Sequence, residues 1–330
     1  MIIGLMDVDS HNYPNLAMMK ISAYHKSKGD KVEWCVPLIH YDIVYVSKTF
    51  GDEYSTMDMT AIQADKVIYG GTGFAIKVID GIEVYEPTLD GKLPKEIEHM
   101  YPDYSLYPQY TKDTAYGFLT RGCPNGCEFC VVSKKEGLVS HKVADLSEFW
   151  DGQKNINILD ANLLACRDHL ELLQQLADSG ACVNFEQGLD ARFVNKRNLQ
   201  LLSEMNIGII HFAFDKMKFE KHIIRGLRLA KEALRIDHRK TIVYMLTNFD
   251  TTIQQDVYRL KRIQELGYTP DVRIYRKNSL PKHHILKDLQ RWCNNRFLYR
   301  SCSFFDYVPR SDGKSIRELY SEELKGCEEI

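Results

Sequence analysis

From residue 115 onward, six apolar runs follow one another along the chain: AYGFLT, NINILD, CVNFEQ, GIIHFAF, TIVYML and DVRIY. Amphipathic stretches lie between them. The clearest place Leu170, Leu173 and Ala177, then Ile223, Leu227, Ala230 and Leu234, then Ile253, Val257, Leu260 and Ile263 at helical spacing. Strand and helix in strict alternation predict a parallel sheet clothed by helices, because parallel neighbours need long crossovers. Six such βα units predict a partial (β/α)6 barrel over residues 115–280, with chemistry at the carboxyl ends of its strands.

The first hundred residues alternate in the same way. Strands are expected at IIGLMDV (2–8), KVEWCV (31–36), DIVYVS (42–47) and KVIYGG (66–71). NLAMMKISAYHKSKG between the first two reads as a helix stopped by Gly29. This pattern predicts an α/β domain with a flavodoxin-like parallel sheet over residues 1–100. The stretch YPDYSLYPQYTKD, with two prolines and four tyrosines, predicts an extended, ordered linker over 101–114 whose rings pack against both sides. Residues 281–330 are expected to form a C-terminal helical extension, and His283 and His284 read as the start of a surface helix.

A chain of 330 residues suits two domains, and 44% hydrophobic with 27% charged residues suits a soluble protein. No apolar run is long enough to span a membrane. The opening MIIGLMDVD reads as a buried strand and not a signal peptide. Nine scattered cysteines argue against a disulfide framework and for a reducing, cytoplasmic location. Residues 1–220 carry 21 basic and 31 acidic side chains, whereas residues 221–330 carry 22 and 14. A basic C-terminal third could attract phosphate-rich partners such as nucleic acid, but charges interleaved on helices are favoured as plain solvated surface.

Three cysteines do not fit that scatter. TRGCPNGCEFC places Cys123, Cys127 and Cys130 just after the first strand of the six-fold series. Chance gives this spacing in roughly one chain in 150 of this cysteine content. Soft thiolates converging from one loop favour an iron–sulfur cluster or zinc. Gly122 and Gly126 permit tight turns, and Pro124 stiffens the bend. Four cysteines ordinarily hold a [4Fe–4S] cluster, so three leave one iron open to bind something else. The other six cysteines read as buried small hydrophobes, with an auxiliary cluster on the loosely spaced Cys293, Cys302 and Cys327 as the alternative.

On Cys123, Cys127, Cys130 and the aromatic Phe129 the sequence resembles the radical S-adenosylmethionine (SAM) superfamily, with a similar layout over residues 115–280. The resemblance implies a [4Fe–4S] cluster whose open iron chelates SAM and reductively cleaves it. It further implies a 5′-deoxyadenosyl radical that abstracts hydrogen from a substrate, and an electron donor such as flavodoxin or ferredoxin. It places SAM contacts at later strand ends. Asp160 and Asn162 follow the second strand, Gln187 and Arg192 the third, Asp215 the fourth and Asn248 the fifth. Arg192 suits a carboxylate and Asp215 a ribose, although each of these could instead be a strand-end cap. The family's usual Gly-Gly-Glu is absent after the second strand, which leaves the amino-group ligand open. The competing reading is a non-catalytic module in which zinc takes the three thiols and a histidine such as His141, docking a partner or nucleic acid through the basic third.

Asp9 and His11 follow the first N-terminal strand, Ser47 ends the third and Gly70-Gly71 the fourth. The pattern resembles cobalamin-binding domains, which many radical SAM enzymes carry before the cysteine motif. Pro14 stands where that signature has glycine, so the expectation is a cobalamin-type fold that has lost the cofactor or uses it differently. The methylthiotransferase branch fits poorly, since only Cys35 lies in this region to supply cluster ligands.

Overall fold

A computed structural model describes residues 1–56, 62–79 and 82–327. Its strands are β1 (Ile2–Asp7), β2 (Lys31–Trp34), β3 (His40–Ser47), β4 (Gln63–Gly70), β5 (Ile76–Ile79), β6 (Ile82–Tyr85), β7 (Thr114–Gly117), β8 (Thr120–Arg121), β9 (His141–Lys142), β10 (Asn155–Ile158), β11 (Cys182–Phe185), β12 (Asn206–Ala213), β13 (Thr241–Thr247) and β14 (Thr269–Ile274). Two parallel sheets dominate. One runs β2-β1-β3-β4, and the other runs β7-β10-β11-β12-β13-β14 in sequential order.

The first sheet is built on its two central strands, β1 and β3, which bury residues on both faces, while the edge strands β2 and β4 have none that is fully buried. Ile3 and Leu5 pack under the helix Leu16–Ser27, together with Met18, Met19 and Ile21. That helix is capped by Asn15, whose side chain accepts the Met18 N–H at 3.2 Å. Tyr41, Val44 and Val46 pack on Val67 and Phe74. The antiparallel pair β5–β6 was not anticipated from the sequence.

In the larger sheet every neighbouring pair is parallel, and β7 and β14 form its two edges. The sheet is open, not a closed barrel. One face is apolar and covered by the helices His169–Asp178, Lys196–Glu204, Glu220–Leu234 and Ile253–Glu265, which bury Leu173, Leu199, Leu227 and Leu260 in one continuous core. Helices Ile285–Asn294 and Arg296–Ser301 follow, and Trp292 joins the same core. His284 caps the first of these, its Nδ1 accepting the Leu286 N–H at 3.2 Å. Among the described residues no helix is long and apolar enough to cross a membrane.

The segment between the sheets differs from the extended chain expected. It forms two short helical turns, Tyr104–Leu106 and Pro108–Thr111. Pro108 opens the second, where its fixed φ and missing N–H cost nothing. The tyrosines grip both sides. Tyr107 donates to Asp7 at 2.5 Å and Tyr110 to Asn12 at 3.0 Å, while Tyr104 donates to the Phe149 carbonyl at 2.6 Å. Asp103 accepts from Ser22 and from Lys26, each at 2.6 Å.

Arg259, fully buried, ties the ends of β12 and β13 together. It donates to the carbonyls of Phe214 (2.6 Å), Asp215 (2.9 Å) and Leu246 (2.7 Å) and pairs with buried Asp256. Arg259→Leu leaves Asp256 as an unpaired buried charge, so a loss of about 3–5 kcal/mol is expected in denaturant unfolding. Adding Asp256→Asn to that variant should restore part of it.

Candidate functional site

The cysteine loop begins where β7 leaves its sheet. At Gly117 a side chain would meet the Phe149 ring, the ideal Cβ lying 2.3 Å from it. Beyond it, the expected strand AYGFLT breaks off, because Asp160 draws the chain outward. Its carboxylate accepts the N–H of Leu119 (2.8 Å), the N–H of Thr120 (2.7 Å) and the Thr120 hydroxyl (2.5 Å). Strands β8 and β9 then pair antiparallel and close the base of the loop. Gly122, at φ +87°, lets the backbone pass Val139, whose carbonyl oxygen lies 2.2 Å from the ideal Cβ position. The Gly122 N–H and the Arg121 guanidinium both donate to Glu136, at 3.0 and 2.8 Å, and Cys123 N–H donates to the Gly137 carbonyl at 3.1 Å.

Each later strand end sends a group toward this loop. After β10, Asn162 donates to the Cys123 sulfur at 3.6 Å and to Asp190 at 3.2 Å. After β11, Asp190 also accepts from Asn125 of the loop at 3.0 Å and is held by Arg192 in a two-bond fork of 2.9 and 2.6 Å. After β12 come Asp215 and Lys216, and beyond β13 Phe249 meets Phe129 edge-on at 5.2 Å. Tyr275, past β14, closes this aromatic row against Phe249 at 5.0 Å.

Burial dominates the electrostatics of two of the three thiols, and its net effect favours their protonated form. Burial raises the Cys127 and Cys130 thiols, while the Lys216 ammonium pulls Cys127 back and the Val132 N–H does so for Cys130. Asp190 chiefly, then Cys127 and Cys123, hold Arg192 more firmly protonated. Asp190 stays below its ordinary value: burial acts against this, and Arg192 and Asn125 outweigh it. Burial pushes the Asp215 carboxyl up, and one of its oxygens already accepts the Leu246 N–H at 2.8 Å.

Seven of the residues expected from the sequence therefore meet in one place: Cys123, Cys127, Cys130, Phe129, Asn162, Arg192 and Asp215, whose carboxyl acts on Cys127 and Cys130. Asp190 and Lys216 join them, two groups that nothing in the strand-end pattern singles out. Asp160 lies beneath the loop and is committed to its backbone. Asn248 sits in a turn at φ +62° and donates to the Tyr275 carbonyl at 2.7 Å. Gln187 faces a separate cleft. His141 is exposed and donates to the nearby Val139 carbonyl at 3.1 Å.

Among the described residues no group of three or more His, Cys, Asp or Glu side chains stands ready to hold a metal ion. A polynuclear cluster makes a different demand, since each thiolate binds its own iron around a shared inorganic core. Two observations fit such a group. Three thiols share one loop with two cationic side chains at hand, and Asn162, only 1% exposed, keeps its Oδ1 buried without a hydrogen-bond partner.

The N-terminal residues do not fit a corrin. Asp9, only 2% exposed, accepts the N–H groups of Thr49 (2.7 Å) and Phe50 (2.9 Å), which commits it to the loop after β3. His11 is exposed, and Ser47 accepts from Asn15 at 2.9 Å. Gly71, at φ +95°, serves the close approach of two loops, for its ideal Cβ would lie 2.3 Å from the Lys48 carbonyl oxygen. Asp9 is thus spent on the loop after β3 and does not orient the His11 imidazole.

Two further features escaped the sequence reading. The face of the large sheet away from the helices carries a polar row. Asn157 is in register with Tyr116 and Asn184, Asn184 donates to Asn157 at 2.8 Å, and His211 stacks on Tyr244 at 4.7 Å. Period-two alternation of these residues with buried Ile156, Val183, Phe212 and Val243 was the available signal. The second feature is a cleft of about 550 Å³ between the carboxyl edges of the two sheets. Ser10, Ser47 and Thr49 line one side, Phe118, Leu159 and Gln187 the other. Val131 and Val132, directly after the last cysteine, also border it.

No family model matches the sequence, and no curated protein matches it either.

Gly122 and Gly137 both have positive φ, but only Gly122 faces a backbone atom where a Cβ would stand. Gly122→Ala should therefore destabilise by more than Gly137→Ala, whose strain alone is about 1–3 kcal/mol, and should speed thiol labelling of Cys123. Burial raises the Asp160 carboxyl to about 7, against the opposing pull of the Thr120 and Leu119 groups. Its contribution to stability is thus complete below about pH 4 and is lost as pH rises toward 7. Asp160→Asn should flatten the pH dependence of unfolding in that window.

Proposed function

We propose that this chain is a radical SAM enzyme, with a flavodoxin-like N-terminal sheet and an open, partial barrel carrying the reactive centre. Its thiolates Cys123, Cys127 and Cys130 would hold a [4Fe–4S] cluster. When bound, that cluster supplies the electron that cleaves SAM to methionine and a 5′-deoxyadenosyl radical. The observation that carries the reading is convergence: one three-cysteine loop lies over the carboxyl edge of a sequentially ordered parallel sheet. Four successive strand ends, through Asn162, Arg192, Lys216 and Phe249, reach toward it.

The chain's own groups divide the work. The amide of Asn162 orients Cys123 and leaves its carbonyl oxygen free to accept a hydrogen bond, a role suited to an ammonium. Arg192, presented by Asp190 and packed 4.4 Å from the Phe219 ring, is the cation suited to a carboxylate. Phe129 and Phe249 exclude water beside the last cysteine. Asp160 positions the loop and touches no ligand under this reading.

Anaerobic reconstitution of the full chain should yield about four irons and four sulfides. Slow 5′-deoxyadenosine formation with SAM and dithionite is then expected. Cys127→Ala should lose the brown colour and the product together. One zinc without sulfide would overturn the proposal in favour of a binding module.

A further inference from the structure

The small sheet's strand order reverses between β1 and β3, and parallel sheets open a ligand crevice outside the carboxyl ends at such a point. The 550 Å³ cleft lies there, with Ser10 following β1 and Ser47 ending β3. Its far wall comes from the large sheet, and the helix after the last cysteine borders it. Its size falls in the range of small-molecule sites.

The cleft has a continuation. A more enclosed cavity of about 210 Å³ shares Ala17, Ser47, Gly71 and Leu93 with it, and lies between the helix Leu16–Ser27 and the β3–β4 face. Ile21, Tyr45, Ile68 and Ile97 make its lining apolar.

Charge narrows the ligand. Among the described residues every ionic side chain bordering the cleft already has a partner: Lys20 with Glu98 (3.4 Å), Arg121 with Glu136 (2.8 Å), Lys135 with Asp90 (3.6 Å). A charged ligand would have to break one of these pairs or go unmatched in a mostly apolar space. By contrast the Thr49 hydroxyl and the Gln187 amide line the cleft with no side-chain hydrogen bond among the described residues, and both accept and donate.

We propose that cleft and chamber together form the substrate site, for an uncharged molecule with a hydroxyl- or amide-bearing head at the cleft and an apolar arm in the chamber. The assignment rests on the reactive-centre reading above, which places the radical source next to the cleft.

Calorimetric titration of the full chain with 1,2-alkanediols of four to ten carbons tests it. Affinity should rise about fourfold per methylene until the chamber is full, then level off. Alkanoates and alkylammonium ions of equal length should bind at least tenfold more weakly. Ala17→Trp, at the throat, should abolish the chain-length dependence. Ile97→Ala, at a buried wall residue and so enlarging the chamber instead of filling it, should move the plateau to longer chains. Wild-type binding that ignores chain length would overturn the proposal, as would tighter binding of either charged series. Stoichiometric retention of hydroxocobalamin through gel filtration would reassign the cleft to a corrin. These titrations need neither iron nor SAM, so their failure is separable from failure of the 5′-deoxyadenosine assay.

Discussion

A single buried carboxylate, Asp160, decides where the cysteine loop goes. Three donors from Leu119 and Thr120 converge on it, and they turn the chain out of the large sheet two residues after β7 ends. Without that turn the strand would run on and carry the cysteines along the sheet. With it, β8 and β9 close the loop base, and the helix Val132–Glu136 returns Glu136 to hold Gly122 and Arg121. The loop is thus suspended over the carboxyl edge, within reach of groups from β10 through β14. Burial of a carboxylate is costly, and the three donors offset only part of that cost, since burial still raises this carboxyl to about 7.

The same logic of filled polar groups joins the two sheets. Tyrosine rings suit a contact that is apolar in its body and polar at its tip, and the linker uses them in that way. Tyr107 stacks edge-on to Trp34 at 5.2 Å while its hydroxyl reaches Asp7, and Tyr104 bridges to Phe149. Tyr13, from the loop after β1, meets Tyr116 of β7 edge-on at 5.3 Å. The two carboxyl edges are thereby held facing each other, and the cleft between them is the consequence.

Much of the strand plan was legible, because period-two and period-3.6 hydrophobicity follow from burial on one face. β10 through β14 fall within the apolar runs apart from their ends. Less legible were boundaries set by contacts. AYGFLT reads as one strand but is cut by Asp160 and Phe149, which lie far along the chain. The linker's proline at position 108 was a helix-start signal as much as a breaker, and only its neighbours' packing settles between the two. In the N-terminal region, Asp9 and Ser47 carry the residue types of a ligand site, yet both are occupied by hydrogen bonds from residues 32 to 41 positions away. Residue type cannot reveal that, since the same carboxylate serves either purpose.

The sequence by itself determined the alternation of strands and helices and the grouping of Cys123, Cys127 and Cys130 into one loop, since periodicity and close spacing are properties of a short stretch. Only the tertiary structure decided which distant groups face the sulfurs. It brings Asn162, Arg192 and Lys216 to the loop, keeps Asp160 beneath it and turns Gln187 toward a cleft. Each of these follows from strand register and from the direction a chain takes on leaving a sheet. Those are set by long-range packing and hydrogen bonding, and no local pattern records them.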